Sequence, residues 1–449
     1  MGLSLIILAA GQGTRMQSDL PKVLHPLGGV PMLAHAMASG AAMDPERVAV
    51  VCGHGADLVR KAVAEIDPEA QVVLQSEQLG TGHAVRQAAP VLEGVTGDAV
   101  VLYGDTPFIR PETLEAMSEA RARGADIVVL GFMAADPGRY GRLVTVDERL
   151  LRIVEYKDAT QGERAIRLCN SGVIMADAAT LMRLVGAIGN ANAAGEYYLT
   201  DIVGLGRAEG LTAEVVLCEE AETMGVNTRA ELAAAEAAFQ ARMRAEVLEN
   251  GVTLTAPETV HFAQDTYIGR DATVEPYVVF GPGVTVETGA VIRAFSHLEG
   301  CHVSRGAVVG PYARLRPGAE LSEDVKVGNF VEVKNAQIAE GAKVSHLSYI
   351  GDAEIGRDAN IGAGTITCNY DGVFKHRTTI GARAFIGSNT MLVAPVRVGP
   401  EAMTASGSVI TSDVEAGALA VGRSRQVTKP GLAEKMMERL KALKAAKKG

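Results

Sequence analysis

Residues 303–333 read VSRGAVVGPYARLRPGAELSEDVKVGNFVEV, and an aliphatic side chain returns at every sixth position of this stretch. The positions concerned are Val303, Val309, Leu315, Leu321, Val327 and Val333. A helix repeats about every 3.6 residues and a strand about every two, so neither element alone produces this period. The spacing predicts short strands separated by turns, which coil into a solenoid with the aliphatic side chains stacked inside.

The same spacing extends on both sides of this stretch. It starts at Ile268, ends at Ile410 and contains three steps of five residues instead of six. With three hexapeptides in each coil, this length corresponds to roughly eight coils. The series is broken by Cys368–Thr379, which must leave the coil as a loop. Insertions in solenoids often build the binding face, so the loop is a candidate functional element.

Charged side chains cluster near this loop. Arg316 and Lys334 are separated by three hexapeptides, which is one coil, and Arg314 stands beside the first of them. We therefore expect Arg316 and Lys334 to stack and to form a phosphate site. His346 follows two hexapeptides after Lys334, with Tyr349 close behind. A single histidine on a solenoid is usually a corner residue, but beside two cations we interpret His346 as a general base.

The N-terminal half has a different pattern. Short apolar runs occupy residues 4–9, 48–51, 72–74, 99–103, 127–131 and 215–217. Segments with helical spacing lie between most of them, at 32–42, 55–65, 81–92 and 111–123. This alternation predicts a largely parallel sheet covered by helices on both faces, with ligands at the carboxyl ends of its strands.

A glycine turn, Gly11–Gly13, follows the first run and can bring backbone N–H groups close to phosphate. It is neither a Walker A loop nor a dinucleotide fingerprint, because no Gly-Lys-Ser/Thr follows and Met16 replaces the third glycine. Arg15 and Lys22 lie just beyond it and suit a clamp for a triphosphate. Asp105 ends a later run, where a carboxylate can hold Mg²⁺ with phosphate oxygens; a solvated turn is the alternative.

A helix is predicted between the two halves. Thr228 and Glu231 match a capping box, and Asn250-Gly251 is a natural stop. We expect a spacer helix about 30 Å long. The predicted domains are therefore residues 1–227, a helical linker over 228–250, and a C-terminal domain over 251–449 that ends in a basic tail.

Other titratable residues are interpreted as structural. His83 stands at a helix start, and His297 and His302 flank Cys301 without further ligands at metal-site spacing. The five cysteines are odd in number and form no C-x-x-C pair, so we expect neither a disulfide framework nor a structural zinc site.

Composition excludes several classes of protein. The 449 residues carry a net charge of −10, which argues against a dedicated nucleic-acid binder. No apolar stretch of about 20 residues predicts a membrane span, and residues 1–8 resemble a first strand more than a signal peptide. A reducing cytoplasm is the expected location. The 50 glycines and the absence of Trp fit a narrow solenoid core.

Several motifs together resemble a known family. The pattern L-x-x-G-x-G-T-R-M at 8–16, then Q at 75, GTGHA at 80–84 and YGD at 103–105, resembles sugar-1-phosphate nucleotidyltransferases. With EYYLTD at 196–201, NIGAGT at 360–365 and CNYDG at 368–372, the chain resembles the bacterial bifunctional N-acetylglucosamine-1-phosphate uridylyltransferase/glucosamine-1-phosphate N-acetyltransferases. This resemblance implies α/β plus all-β architecture: a Rossmann-like domain, a linker helix and a left-handed parallel β-helix of hexapeptide repeats.

The resemblance implies a nucleotide site in the first domain. Asp105 and Asn227 would ligate Mg²⁺, and Arg15 and Lys22 would neutralise phosphates during catalysis. Residues implied to bind UTP or UDP-N-acetylglucosamine are Leu8, Ala9, Ala10, Gly11, Lys22, Gln75, Gly80, Thr81, Tyr103, Gly104, Asp105, Gly141, Glu155, Asn170 and Asn227. Ser171 stands where the family pattern has Thr.

A second site is implied in the coil, with His346 as the catalytic base. The sugar phosphate would be bound by Arg316, Lys334, Tyr349 and Asn360. Acetyl-CoA would be bound by Ala363, Asn369, Tyr370, Ser388, Ser406 and Arg423. Two positions depart from the family pattern, with Ser345 in place of Gly and Ser406 in place of Ala. The tail 429–449 is expected to be a solvated helix, with contact to the CoA phosphates as the alternative.

The implied reactions are acetyl transfer to glucosamine 1-phosphate, then uridylyl transfer from UTP to N-acetylglucosamine 1-phosphate. The product supplies peptidoglycan and lipopolysaccharide synthesis, and the implied assembly is a homotrimer. Two alternatives remain at this point. One is a nucleotidyltransferase whose solenoid only regulates or oligomerises, and the other is a non-catalytic β-helix scaffold.

Overall fold

The computed structural model describes residues 2–147 and 149–446. The chain divides into two compact units. Unit one comprises Met1–Met243 and Phe262–Gln264, and unit two comprises Arg244–His261 and Asp265–Gly449.

Unit one contains a mixed sheet whose main path has the order β11-β7-β10-β6-β1-β4-β5. β8 pairs with β10 and β9 beside this path, and β2 and β3 form a separate two-stranded sheet. The strands of unit one are β1 (Gly2–Ala9), β2 (Pro26–Leu27), β3 (Val30–Pro31), β4 (Arg47–Cys52), β5 (Gln71–Leu74), β6 (Gly97–Tyr103), β7 (Ile127–Met133), β8 (Arg142–Val146), β9 (Arg149–Val154), β10 (Leu168–Asp177) and β11 (Ala213–Cys218). All neighbours on the path pair in parallel except β10, which runs antiparallel to β6 and β7. The six predicted strands are present, and the antiparallel strand is the exception to the predicted parallel sheet.

Helices cover both faces of this sheet. They are α1 (Met32–Ala41), α2 (Ala56–Ile66), α3 (Thr81–Arg86), α4 (Ala89–Leu92), α5 (Pro111–Ala122), α6 (Gln161–Arg164), α7 (Ala178–Ala187) and α8 (Asp201–Ala208). Ile6 packs into one hydrophobic cluster, and its neighbours Leu5 and Ile7 pack into the other. Because β1 is buried on both faces, its sequence is a continuous apolar run. The predicted helix 81–92 is two helices, since Pro90 has no N–H to continue the first.

Helix α9 (Arg229–Glu249) occupies the predicted linker. Its capping box is formed: the Glu231 N–H donates to Thr228 Oγ1 at 3.1 Å, and the Thr228 N–H donates to a Glu231 carboxylate oxygen at 3.0 Å. Phe239 is buried and its ring lies 5.8 Å from that of His35, edge to face. The part of α9 up to Met243 thus belongs to unit one.

Unit two is a parallel β-helix. Its strands are β12 (Thr253–Leu254), β13 (Tyr267–Ile268), β14 (Thr273–Val274), β15 (Val279–Phe280), β16 (Val284–Val286), β17 (Val291–Ile292), β18 (His297–Leu298), β19 (Cys301–Val303), β20 (Val308–Val309), β21 (Arg314–Leu315), β22 (Ala319–Leu321), β23 (Lys326–Asn329), β24 (Glu332–Ile338), β25 (Lys343–His346), β26 (Tyr349–Ile355), β27 (Asn360–Ile361), β28 (Ile366–Cys368), β29 (Thr378–Ile380), β30 (Phe385–Ile386), β31 (Met391–Val393), β32 (Val396–Val398), β33 (Met403–Thr404), β34 (Val409–Ile410) and β35 (Leu419–Ala420).

Strand register confirms the six-residue period. Leu315 pairs with Val333, one coil later, and Val309 pairs in the same way with Val327. The side chains of the predicted series are buried from Ile268 to Ile410. The stacked aliphatic side chains therefore form the core of the β-helix.

The predicted loop does leave the coil. Ile366 in β28 pairs with Met391, so this coil is longer than three hexapeptides, whereas Thr378 in β29 pairs with Val396 at the usual spacing. Inside the loop, Tyr370 and Lys375 form an antiparallel bridge. This longer coil confirms that the break in the period is an insertion.

The final helix, α10 (Leu432–Ala446), is exposed along its length, and the last three residues of the predicted tail lie outside the described part of the chain. Of the helices described, none is long and apolar enough to cross a membrane.

Candidate functional sites

The first candidate site lies where β1 and β6 end. The Gly104 N–H donates to the Leu8 carbonyl at 3.0 Å, which joins the two strand ends. A cavity of about 310 Å³ opens there. The lining residues that were predicted for the nucleotide site are Leu8, Ala9, Ala10, Gly11, Lys22, Gln75, Gly80, Thr81, Tyr103 and Asp105. Four further residues also line the cavity: Val23, Gln78, Ala84 and Glu196.

Lys22 stands between the two predicted metal ligands. Its ammonium forms an ion pair with Asp105 and donates to Asn227 Oδ1 at 3.0 Å. The Val226 N–H donates to the Asp105 carbonyl at 3.0 Å, which brings the segment carrying Asn227 to the cavity. A carboxylate oxygen and an amide oxygen thus converge on one positive charge, and both are ligand types that Mg²⁺ accepts. The donor set fits a divalent cation that takes its remaining ligands from phosphate and water.

Other predicted residues gather beside Tyr103. Thr200 Oγ1 donates to Glu155 Oε1 at 3.2 Å, and the Asn170 N–H donates to the Gly141 carbonyl at 2.9 Å. Burial raises the pKa of Glu155 above its ordinary value, and burial likewise raises the pKa of Tyr103. This group adjoins the cavity without lining it.

Some residues around the cavity were not assigned from the sequence. Gln12 Nε2, in the glycine turn, donates to Gln78 Oε1 at 2.9 Å, so the Gln78 side chain is held toward that turn. Gln75 Nε2 lies 3.0 Å from His83 Nδ1, which gives that histidine a supporting contact. Gln78 and Glu196 lie in or near the quoted motifs, but their residue types alone did not indicate a specific chemistry.

The predicted phosphate-binding residue Arg15 is exposed on the turn Thr14–Met16.

The second candidate site is on the β-helix around a buried carboxylate that sequence reasoning missed, Asp352. Asn335 Nδ2 donates to Asp352 Oδ1, and Asn369 Nδ2 donates to Asp352 Oδ2. Asn369 Nδ2 also lies 3.5 Å from Tyr349 Oη. Burial works against ionisation, but these hydrogen bonds and the nearby Lys334 hold the pKa of Asp352 below its ordinary value.

Lys375 is a second residue that the sequence analysis left unassigned. It lies beside Lys334, and the Lys334 ammonium lowers the pKa of Lys375 below its ordinary value. Because Lys375 belongs to the loop and Lys334 to β24, the loop adds positive charge to the predicted sugar-phosphate group. Nothing in the period of six could have revealed this approach.

The remaining predicted residues are spread over neighbouring coils. Arg316 NH1 donates to Glu332 Oε1 at 2.8 Å. His346 is exposed, and its Nδ1 lies 2.9 Å from Asn329 Oδ1. Asn360 lies on β27, in the other sheet from Tyr349, so the described contacts do not join these two predicted ligands.

The predicted acetyl-CoA residues follow one corner of the coil. The Asn389 N–H donates to the Ala363 carbonyl at 2.7 Å, and the Gly407 N–H donates to the Ser388 carbonyl at 2.8 Å. Ala363, Ser388 and Ser406 therefore occupy equivalent places on successive coils. Arg423 is exposed beyond them, and Tyr370 is exposed on the loop.

Residues first interpreted as structural have partners of their own. His302 Nε2 lies 2.9 Å from Glu287, and its Nδ1 lies 3.5 Å from Glu320. Burial raises the pKa of the Cys301 thiol to about 12. Within residues 2–147 and 149–446, no group of three or more His, Cys, Asp or Glu is arranged to hold a metal ion.

Two family models match this chain. Residues 5–171 match the MobA-like NTP transferase domain, and residues 265–300 match the bacterial transferase hexapeptide (six repeats). "Bifunctional protein GlmU" of Cereibacter sphaeroides is 70% identical over 99% of this chain and 98% of its own length. The chain belongs to the GlmU family.

Other GlmU relatives are equally complete. The relative from Dinoroseobacter shibae is 70% identical over 100% of this chain and 99% of its own length. The relative from Paracoccus denitrificans is 67% identical over 98% of this chain and 98% of its own length. A solved apo UDP-glucose pyrophosphorylase is similar over 54% of this chain and all of its own, at 18% identity and a TM-score of 0.45.

As a GlmU enzyme, the chain is both an acetyltransferase and a uridylyltransferase, and it makes UDP-N-acetylglucosamine for cell-wall synthesis. It transfers acetyl from acetyl-CoA to glucosamine 1-phosphate, and uridylyl from UTP to N-acetylglucosamine 1-phosphate with release of pyrophosphate. The alternatives of a regulatory solenoid and a non-catalytic scaffold are therefore wrong.

Proposed function

We propose that the two reactions are divided between the two candidate sites, with uridylyl transfer in unit one and acetyl transfer on the β-helix. The observation that carries this assignment is the convergence of Lys22, Asp105 and Asn227 at the cavity of unit one. His346 and the cations near Asp352 belong to the other unit. Each unit thus has its own charged site.

In unit one, a phosphate oxygen of the sugar phosphate attacks the α-phosphorus of UTP, and pyrophosphate leaves. The glycine turn and Gln75 hold the nucleotide, while Lys22 and Arg15 balance charge that develops on the phosphates. Positioning and charge neutralisation account for most of such a reaction, because phosphoryl transfer needs little covalent help from side chains.

Asp105 and Asn227 are the residues proposed to hold the divalent metal that this family uses, and we propose Mg²⁺. The ion would neutralise phosphate charge when bound. The support is the pair of oxygen ligands already directed at the Lys22 ammonium. Gly141, Glu155 and Asn170 are proposed to surround the sugar or base, since they adjoin Tyr103 at the cavity wall.

On the β-helix, the neutral imidazole of His346 takes a proton from the amine of glucosamine 1-phosphate as this nitrogen attacks the thioester carbon. The new C–N bond forms and the C–S bond breaks, so coenzyme A leaves. Arg316, Lys334, Tyr349 and Asn360 are proposed to bind the sugar phosphate, and the cationic pair Lys334 and Lys375 supports this charge preference.

Acetyl-CoA is proposed to bind along the corner that carries Ala363, Ser388 and Ser406, with Asn369, Tyr370 and Arg423 around it. Most of these residues are accessible in the single chain, and they extend over several coils beyond His346. We propose that a neighbouring subunit completes this site in a homotrimer. We also propose a cytoplasmic location, because the reactions consume UTP and acetyl-CoA.

A crossed pair of variants tests the division of activities. Asp105→Ala should abolish uridylyl transfer at any practical Mg²⁺ concentration and leave acetyl transfer intact. His346→Ala should lower acetyl transfer by about 10²–10⁴-fold, the usual contribution of a general base, and leave uridylyl transfer intact. Release of pyrophosphate and of free thiol are followed separately. Equal loss of both activities in either variant would refute the assignment.

A further inference from the structure

The ring of His346 is held by a neighbouring coil. Its Nδ1 lies 2.9 Å from Oδ1 of Asn329, and the two residues are register partners at the ends of β25 and β23. The Leu347 N–H donates to the Asn329 carbonyl at 3.1 Å, which keeps the two coils in this register. The His346 carbonyl accepts from Ser348 Oγ at 2.8 Å. The backbone is therefore fixed on both sides of the amide–imidazole contact.

An amide oxygen accepts hydrogen bonds and cannot donate them. The nitrogen that faces Asn329 Oδ1 must therefore carry the hydrogen. A neutral imidazole has one N–H, so when Nδ1 is protonated the lone pair is on Nε2. Without such a partner, either nitrogen can carry the hydrogen.

We propose that Asn329 is a positioning residue for acetyl transfer, which holds His346 in its Nδ1–H form so that Nε2 accepts the proton. The inference rests on the proposed role of His346 as the base. The amine nitrogen forms the new bond to the thioester carbon while its proton moves to Nε2. The C–S bond breaks, and the departing thiolate of coenzyme A takes the proton from Nε2, which restores the neutral imidazole.

The lack of charge on the Asn329 side chain matters for this positioning role. The charged residues on the two strands that meet here are Lys326 on β23 and Lys343 on β25, and β27 on the other side carries only Asn360 and Ile361. An amide orients the ring without adding a negative charge that would favour imidazolium. A carboxylate at the same place would keep the ring orientation but favour the protonated, inactive form.

Two substitutions separate orientation from charge. Asn329→Leu removes the acceptor and should lower kcat for acetyl transfer by about tenfold or more, short of the loss caused by removing the base. Asn329→Asp keeps an acceptor for Nδ1–H, so activity should return at high pH, with the acid limb of the pH–rate profile moved to higher pH. The matched control is Gln337→Leu, an exposed amide on β24, which should leave kcat unchanged.

The uridylyl transfer rate and the sedimentation coefficient report whether each variant remains folded and assembled. Wild-type acetyl transfer in Asn329→Leu overturns the proposal, as does an Asn329→Asp enzyme with the same low activity as Asn329→Leu and an unmoved pH profile.

A double variant distinguishes this inference from the role of His346 itself. If Asn329 acts through the ring, adding Asn329→Leu to His346→Ala should cause no further loss, whereas a purely structural effect would add. Full acetyl transfer in His346→Ala alone would remove the base assignment. If His346→Ala lowers acetyl transfer and the double variant shows the product of the two single losses, His346 remains the assigned base and the positioning role of Asn329 is overturned.

Discussion

Asp352 is the buried carboxylate that joins the loop to the coil. It accepts hydrogen bonds from Asn335 on the preceding coil and from Asn369 at the start of the loop. Only 7% of Asp352 and 7% of Asn369 is exposed, so loss of the carboxylate would leave the Asn369 amide without this partner in a place that water hardly reaches, whereas the Asn335 side chain is exposed. A carboxylate with two hydrogen-bond donors fixes the position of Asn369, one of the residues proposed to bind acetyl-CoA.

Asp352→Leu should destabilise unit two by about 1–3 kcal/mol, the usual cost of leaving buried polar groups unpaired, and raise the KM for acetyl-CoA. Asp352→Asn keeps the shape and one acceptor and should cost less. Urea unfolding at fixed protein concentration, read on the loss of acetyl transfer, gives the difference. An Asp352→Leu enzyme with unchanged midpoint and KM would contradict this role.

The same carboxylate predicts a pH dependence. Because its pKa is lower in the folded chain than the ordinary value of about 3.9, its stabilising effect is present above that value and is lost as the pH falls through the native pKa. The stability difference between the wild type and Asp352→Leu, measured by urea unfolding, should therefore be constant near neutral pH and shrink below about pH 4. A difference that grows on acidification would contradict the lowered pKa.

Among the elements, α9 shows how a predicted spacer can be part of a folded unit. Its sequence has few large apolar residues, yet Phe239 is buried against Gly28, where a Cβ would meet the ring, and against His35. An aromatic side chain therefore anchors this charged and alanine-rich helix to unit one.

Phe239→Ala should destabilise unit one by about 3–5 kcal/mol, as expected for removal of a buried phenyl ring. Uridylyl transfer should then be lost at a temperature lower by on the order of 10 °C. Acetyl transfer should keep its wild-type thermal profile. Leu248→Ala, on an exposed part of the same helix, is the control and should change neither profile. Parallel loss of both activities in Phe239→Ala would show that the units do not unfold separately.

At the scale of the whole molecule, the proposed trimer has a kinetic consequence. If acetyl-CoA sites are completed by neighbouring subunits, acetyl transfer requires assembly, whereas the cavity of unit one lies within a single chain. On dilution, the specific activity of acetyl transfer should fall in parallel with the fraction of trimer. Sedimentation measures this fraction as the species of three times the chain mass of 46.9 kDa. Uridylyl activity per chain should stay constant. Monomers that retain full acetyl transfer would contradict the shared site.

The β-helix could be predicted from the sequence, because its coil repeats along the chain and every sixth residue is a buried aliphatic side chain. The sequence also located the loop, six of the strands and four helical segments of unit one, and the residues at the strand ends. These features are local, since a strand, a turn or a cap depends on residues close to it along the chain.

The contacts between side chains that are distant along the chain could not be predicted in this way. Lys22 contacts Asn227 across 205 positions, Asp352 collects amides from another coil and from the loop, and Lys375 approaches Lys334 only because the loop folds back. The antiparallel strand β10 and the place of α9 depend equally on contacts remote in sequence. Such contacts leave no period in the chain, because their energy comes from burial and charge that exist only once the fold has formed.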